Sequence, residues 1–128
     1  MPIVVDRDEK RRLISATATG QATVDELFAF LKAHWVTAAA DYAIFVDART
    51  MIVDQTASDV RALASRLEQY GGSLHAPLAI VVAPDIAANH AFGMARMFEM
   101  LLEAAGISRV RVFRSMAHAE SWLGIKLR

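Results

Sequence analysis

The hydrophobic positions change period along the chain, and each change marks an element. Ile3 to Asp6 opens as a short apolar run, followed by the charged stretch Arg7-Asp8-Glu9-Lys10. From Arg12 to Thr19 the residues alternate, with Ile14, Ala16 and Ala18 on one face and Leu13, Ser15 and Thr17 on the other. A period of two belongs to a strand, so these segments predict a hairpin around a polar connection, closed by Gly20. Val24, Leu27, Phe28, Leu31 and Trp35 then recur at helical spacing. Ahead of them, Thr23-Val-Asp-Glu26 fits a capping box, in which a hydroxyl and a carboxylate satisfy free amide donors reciprocally. Tyr42 to Val46 is continuously apolar and suits a strand buried on both faces of a parallel sheet, with Asp47 as its end.

Asp47 to Ser58 reads as a loop, with Thr56 or Ser58 as cap of the next helix. Val60, Leu63, Ala64 and Leu67 form that helix's buried stripe, and Gly71-Gly72 stop it. Leu78 to Ala83 predicts a second buried strand between Pro77 and Pro84. A long helix follows, from about Ile86 to Ala105, stopped by Gly106. Arg109 to Phe113 is a final strand, and Arg111, pointing away from Val110 and Val112, marks it as an edge. Ser115 caps a last helix carrying Ala119, Trp122 and Leu123 and ending at Gly124.

The predicted fold is therefore α/β: an N-terminal β-hairpin followed by alternating helices and parallel strands, ββαβαβαβα, in one domain over residues 1–128. If the strands are also sequential in space, right-handed crossovers place their helices on one face. Tyr42–Val46 and Leu78–Ala83 are apolar on both sides, so the opposite face needs a cover, from the last helix or a partner chain. With 55% apolar residues, a chain of this length buries roughly two-thirds of its unfolded surface and needs no covalent staple.

This order resembles the SpoIIAA-like proteins of the STAS superfamily. The likeness rests on the opening hairpin, Gly20-…-Thr23-Val-Asp-Glu-Leu27, the Tyr42-Ala-Ile-Phe-Val-Asp47 strand and the closing Val112-Phe113-Arg114-…-Ala119-Glu-Ser-Trp-Leu123 segment. The resemblance implies a regulatory or interaction module. In the anti-sigma factor antagonist branch, a strand ends in Asp and a Ser or Thr at the next helix is phosphorylated. That branch has Asp-Ser-Ser/Thr-Gly where this chain reads Ala48-Arg49-Thr50-Met51, so Thr50, Thr56 and Ser58 are the candidate phosphorylation sites.

Composition narrows the function by exclusion. Lys plus Arg and Asp plus Glu are 14 each, so the chain lacks the basic excess that nucleic acid attracts. There is no Cys, which removes disulfides, thiol catalysis and thiolate metal sites. The N-terminal residues do not read as a signal peptide and no apolar run is long enough to span a bilayer, so a cytoplasmic protein is expected. His34, His75, His90 and His118 offer no pair at helical ligand spacing, so no metal is expected, and no cofactor loop occurs. No nucleophile–base pair is legible either, which favours a non-enzymatic role.

Two places remain for chemistry. Ligands in parallel sheets favour the crevice beyond the strand C-termini. Here that rim presents Asp47, Arg49, Asp85 and Arg114, an arrangement able to hold an anion or a small enzymatic site. The other place is the third helix. Its wheel has one narrow polar stripe of Asn89, Arg96, Glu99 and Glu103, with Phe92 inside it. Ala91, Met94, Ala95, Phe98, Leu101 and Leu102 form the core face, and Gly93, Met97, Met100 and Ala104 form a flank between the two. An apolar arc this wide exceeds what one core contact requires. The flank is the expected docking surface for a protein partner, a second copy in a homodimer, or a small apolar ligand.

Overall fold

A computed structural model describes residues 2–85 and 89–127. Strands β1 (Ile3–Asp8) and β2 (Leu13–Gly20) form the hairpin, with Asp8 opposite Leu13. Asp8 organises the turn. Its carboxylate accepts the Arg11 backbone N–H at 3.1 Å and Arg11 Nε at 2.9 Å, and these bonds hold its carboxyl below the usual carboxylate range. The loop closes through Arg12 at φ +51°, where glycine is the ordinary choice.

The chain continues as α1 (Val24–His34), β3 (Ala43–Met51), α2 (Ala57–Glu68), a 3₁₀ turn (Gly71–Ser73), β4 (Leu78–Val81), α3 (Asn89–Ala104), β5 (Val110–Phe113) and α4 (Met116–Leu123). The predicted Thr23–Glu26 capping box is present at α1. At α2 the cap is Thr56 rather than Ser58, in a second capping box with Asp59. The expected start of the third helix at Ile86 lies outside the described residues. The second buried strand ends at Val81, two residues earlier than its apolar run.

The largest departure from expectation is β3. The strand does not end at Asp47 but runs to Met51, paired with β2 as far as Gly20 through a register shift between Thr17 and Thr19. Asp47 and Arg49 are polar and adjacent in strand period, so they occupy one face while Val46 and Ala48 occupy the other. A half-solvated strand end had the composition of a loop.

The five strands lie in the order β1-β2-β3-β4-β5, antiparallel for the first pair and parallel thereafter. On one face Ile14, Ala16, Ile44, Leu78 and Val110 pack with α1, α2 and α3. On the other, Phe45, Ala79 and Val81 meet Ala119, Trp122 and Leu123 of α4, while Ile125 and Leu127 extend that cluster. The last helix thus covers the second face over β4 and β5. Trp35, 0% exposed, closes α1 onto the sheet, its Nε1–H donating to the Ala76 carbonyl at 2.8 Å just before β4.

The two sheet borders are finished differently. β1 exposes Val4 and Val5 and carries Asp6, Arg7 and Asp8, charges that discourage strand addition. At β5 the Val112 N–H, on the border side, donates to Glu99 Oε1 of α3 at 2.9 Å. Glu99 is 4% exposed and is also paired with Arg96. No described helix is long and apolar enough to cross a membrane.

Candidate functional site

Small residues recur on the sheet face beneath the helices. β2 turns Ala16 and Ala18 that way, and β3 turns Ala48. Opposite them, α3 presents Ala91 and Ala95 one turn apart. These five alanine methyl groups line the space between sheet and helix. The result is a cavity of about 120 Å³ between the sheet and the helix layer.

The cavity lies towards the C-terminal ends of β2, β3 and β4, beside the N-terminal turns of the helices. Val46, Ile80 and Val82 complete its floor; Leu27, Phe30, Val60, Leu63, Met94 and Phe98 form its walls. Ile3 of β1, Met51 at the end of β3 and Val53 beyond it close its flank. Among the described lining residues only Gln55 and Asp59 are polar, and the protein engages both. Gln55 is buried and donates from Nε2 to the Ala22 carbonyl at 2.6 Å, tying the β3–α2 connection to the start of α1. His90 Nε2 stands 3.1 Å from the Gln55 carbonyl, tying in α3. Asp59 Oδ2 accepts the Thr56 N–H at 2.8 Å in the α2 capping box.

The rim residues engage different partners. Asp47 and Arg49 form a forked pair, with Arg49 Nε 2.9 Å from Oδ1 and Nη2 2.8 Å from Oδ2. Hydrogen bonding to Asp47 raises the Arg49 pKa above the ordinary guanidinium value, against a smaller opposing effect of burial. Both residues share the strand face of Phe45, on the side of α4. Arg114 is held by α3 instead, its Nη2 donating to Asn89 Oδ1 at 2.9 Å and its guanidinium lying 4.1 Å from the Phe92 ring centre. Arg114 Nε is buried with no partner among the described residues. Asp85 is exposed in the loop after β4. Thr50 is exposed at the penultimate position of β3, Thr56 caps α2 and Ser58 is exposed in the first turn of α2.

The flank of α3 is also divided. Met100 is 58% exposed and Gly93 and Ala104 are exposed, whereas Met97 packs against the core. The cavity borders the opposite side of the helix, through Ala91, Met94, Ala95 and Phe98. Sequence reasoning missed Gln55 and Asp59 and weighed His90 only as a metal ligand; the signal for the cavity was the alanines at inward positions of β2 and α3. No group of three or more described His, Asp or Glu side chains is placed to hold a metal ion. No protein-family model matches the chain, and no curated protein matches it either.

Proposed function

We propose that this chain is a non-enzymatic binding module that takes a small apolar ligand into the cavity between its sheet and helix layer. The observation that carries the reading is the cavity itself: about 120 Å³, walled by apolar side chains, at the strand ends where ligands of parallel sheets bind. A void of that size forgoes about 3 kcal/mol of packing, at roughly 24 cal/mol per Å³. That is a large share of a domain's net stability of roughly 5–15 kcal/mol. A larger side chain at an inward alanine such as Ala95 would fill part of it, so the emptiness belongs to the residue choice. The hairpin and alternating order support a SpoIIAA-like regulatory module, in which ligand uptake bears on α3.

Replacing Ala95 by leucine tests this reading. Xenon enters dry apolar cavities, so the unmodified chain should give a saturable xenon NMR shift that Ala95→Leu removes. The same substitution should raise unfolding stability by about 1 kcal/mol, as cavity filling does. Identical xenon behaviour in the two proteins would refute a ligand cavity.

The exposure of Met100 supports a second reading, in which the outer flank of α3 docks a partner or a second copy. It predicts a concentration-dependent increase in mass on sedimentation that Met100→Lys abolishes. A monomer at every concentration counts against self-docking.

A further inference from the structure

The walls of the cavity also restrict what can enter it. Resting on the apolar-cavity reading above, we infer that the ligand is a compact uncharged hydrocarbon group of about one six-membered ring, and that carboxylates are excluded.

The size argument is direct. An apolar cavity of about 150 Å³ holds benzene, and this one, at about 120 Å³, is slightly smaller. Its volume admits a ring or a short branched chain.

The charge argument rests on Gln55 and Asp59. No Lys, Arg or His lines the cavity among the described residues. A carboxylate ligand therefore has no cation to meet, and it meets the Asp59 carboxylate instead. The nearby helix starts offer little help. The α1 cap already uses the Thr23 hydroxyl and the Glu26 carboxylate, and the α2 cap uses Thr56 and Asp59. The Gln55 amide nitrogen is directed to the Ala22 carbonyl. An anion drawn into this wall would lose its water and gain a like charge. An uncharged hydrocarbon loses nothing by leaving water and gains contacts on every side.

Toluene and benzoate make a suitable pair, since they share a ring and differ in charge. Titrated into the full chain and followed by NMR, toluene should shift the methyl signals of Ala91, Ala95 and Met94. Its dissociation constant should be on the order of 0.1–1 mM, as burying six or seven carbons allows. Benzoate should bind at least about tenfold more weakly. Asp59→Asn, which keeps the shape of the wall and removes its charge, should narrow that gap by strengthening benzoate binding. Equal or tighter binding of benzoate by the unmodified chain overturns the charge assignment and leaves the cavity reading standing. Xenon uptake without toluene binding overturns the size assignment. If xenon, toluene and benzoate all fail to bind, the cavity reading falls with the inference.

Discussion

Trp35→Ala leaves little folded protein at physiological temperature. The indole is completely buried between the end of α1 and the segment leading into β4, and its removal opens a large void. Large-to-small changes of this kind cost about 3–5 kcal/mol. The Ala76 carbonyl also loses the Nε1–H donor it now has at 2.8 Å, leaving a buried acceptor that costs roughly 1–3 kcal/mol more. The sum approaches the whole stability of a domain this size. Trp35→Phe separates the two effects: it keeps most of the apolar bulk, loses the hydrogen bond, and should cost about half as much. Urea unfolding followed by circular dichroism measures both. A loss under about 2 kcal/mol for Trp35→Ala would mean that α1 does not depend on this contact.

The second large effect is expected at Glu99. Glu99→Ala removes the acceptor of the Val112 N–H and the partner of Arg96 in one step. Breaking a buried pair by deleting one member costs about 3–5 kcal/mol. Arg96 retains access to solvent, so about 2 kcal/mol is the better expectation here. Glu99→Gln keeps an oxygen for the Val112 N–H and should recover part of the loss. If Gln and Ala prove equally destabilising, the backbone bond is not what Glu99 contributes.

These two residues also show how far the sequence could be read. Apolar runs and helix and strand periods placed the five strands and four helices but not the 3₁₀ turn, because burial imposes its pattern on the residues that face the core. Trp35 stood at a helical position in the apolar stripe of α1, so its burial was legible. Glu99 was legible only as part of a polar stripe, and a polar stripe on a helix ordinarily faces water. Here the stripe is turned to the β5 border: Glu99 meets Val112, while Asn89 and Phe92 hold Arg114. Periodicity identifies which residues share a face and is silent on what that face meets.

The same limit applies to the strand ends and to the cavity. Asp47, Arg49 and Thr50 had the composition of a loop, yet the backbone there pairs with β2 up to Met51. The alternation of Val46 and Ala48 against Asp47 and Arg49 was present, but too short to outweigh three polar residues. Ala16, Ala18, Ala91 and Ala95 were readable as inward-facing, Ala48 was read into a loop, and none of the five was readable as a vacancy. Alanine fits a close approach of backbones as well as it lines a void, and only the separation of sheet and helices distinguishes the two. Arg114 and Asp47 sit at strand ends separated by β4; α3 holds Arg114, while Asp47 pairs with Arg49 on the face of Phe45.

The two sheet borders are finished by different physical means. At β1 an approaching strand meets the charges of Asp6, Arg7 and Asp8, which dissolved salt screens. At β5 it finds the outward N–H of Val112 already taken by a carboxylate that is itself buried, a contact that salt reaches far less. Raising the ionic strength therefore weakens the guard on one border and leaves the other in place.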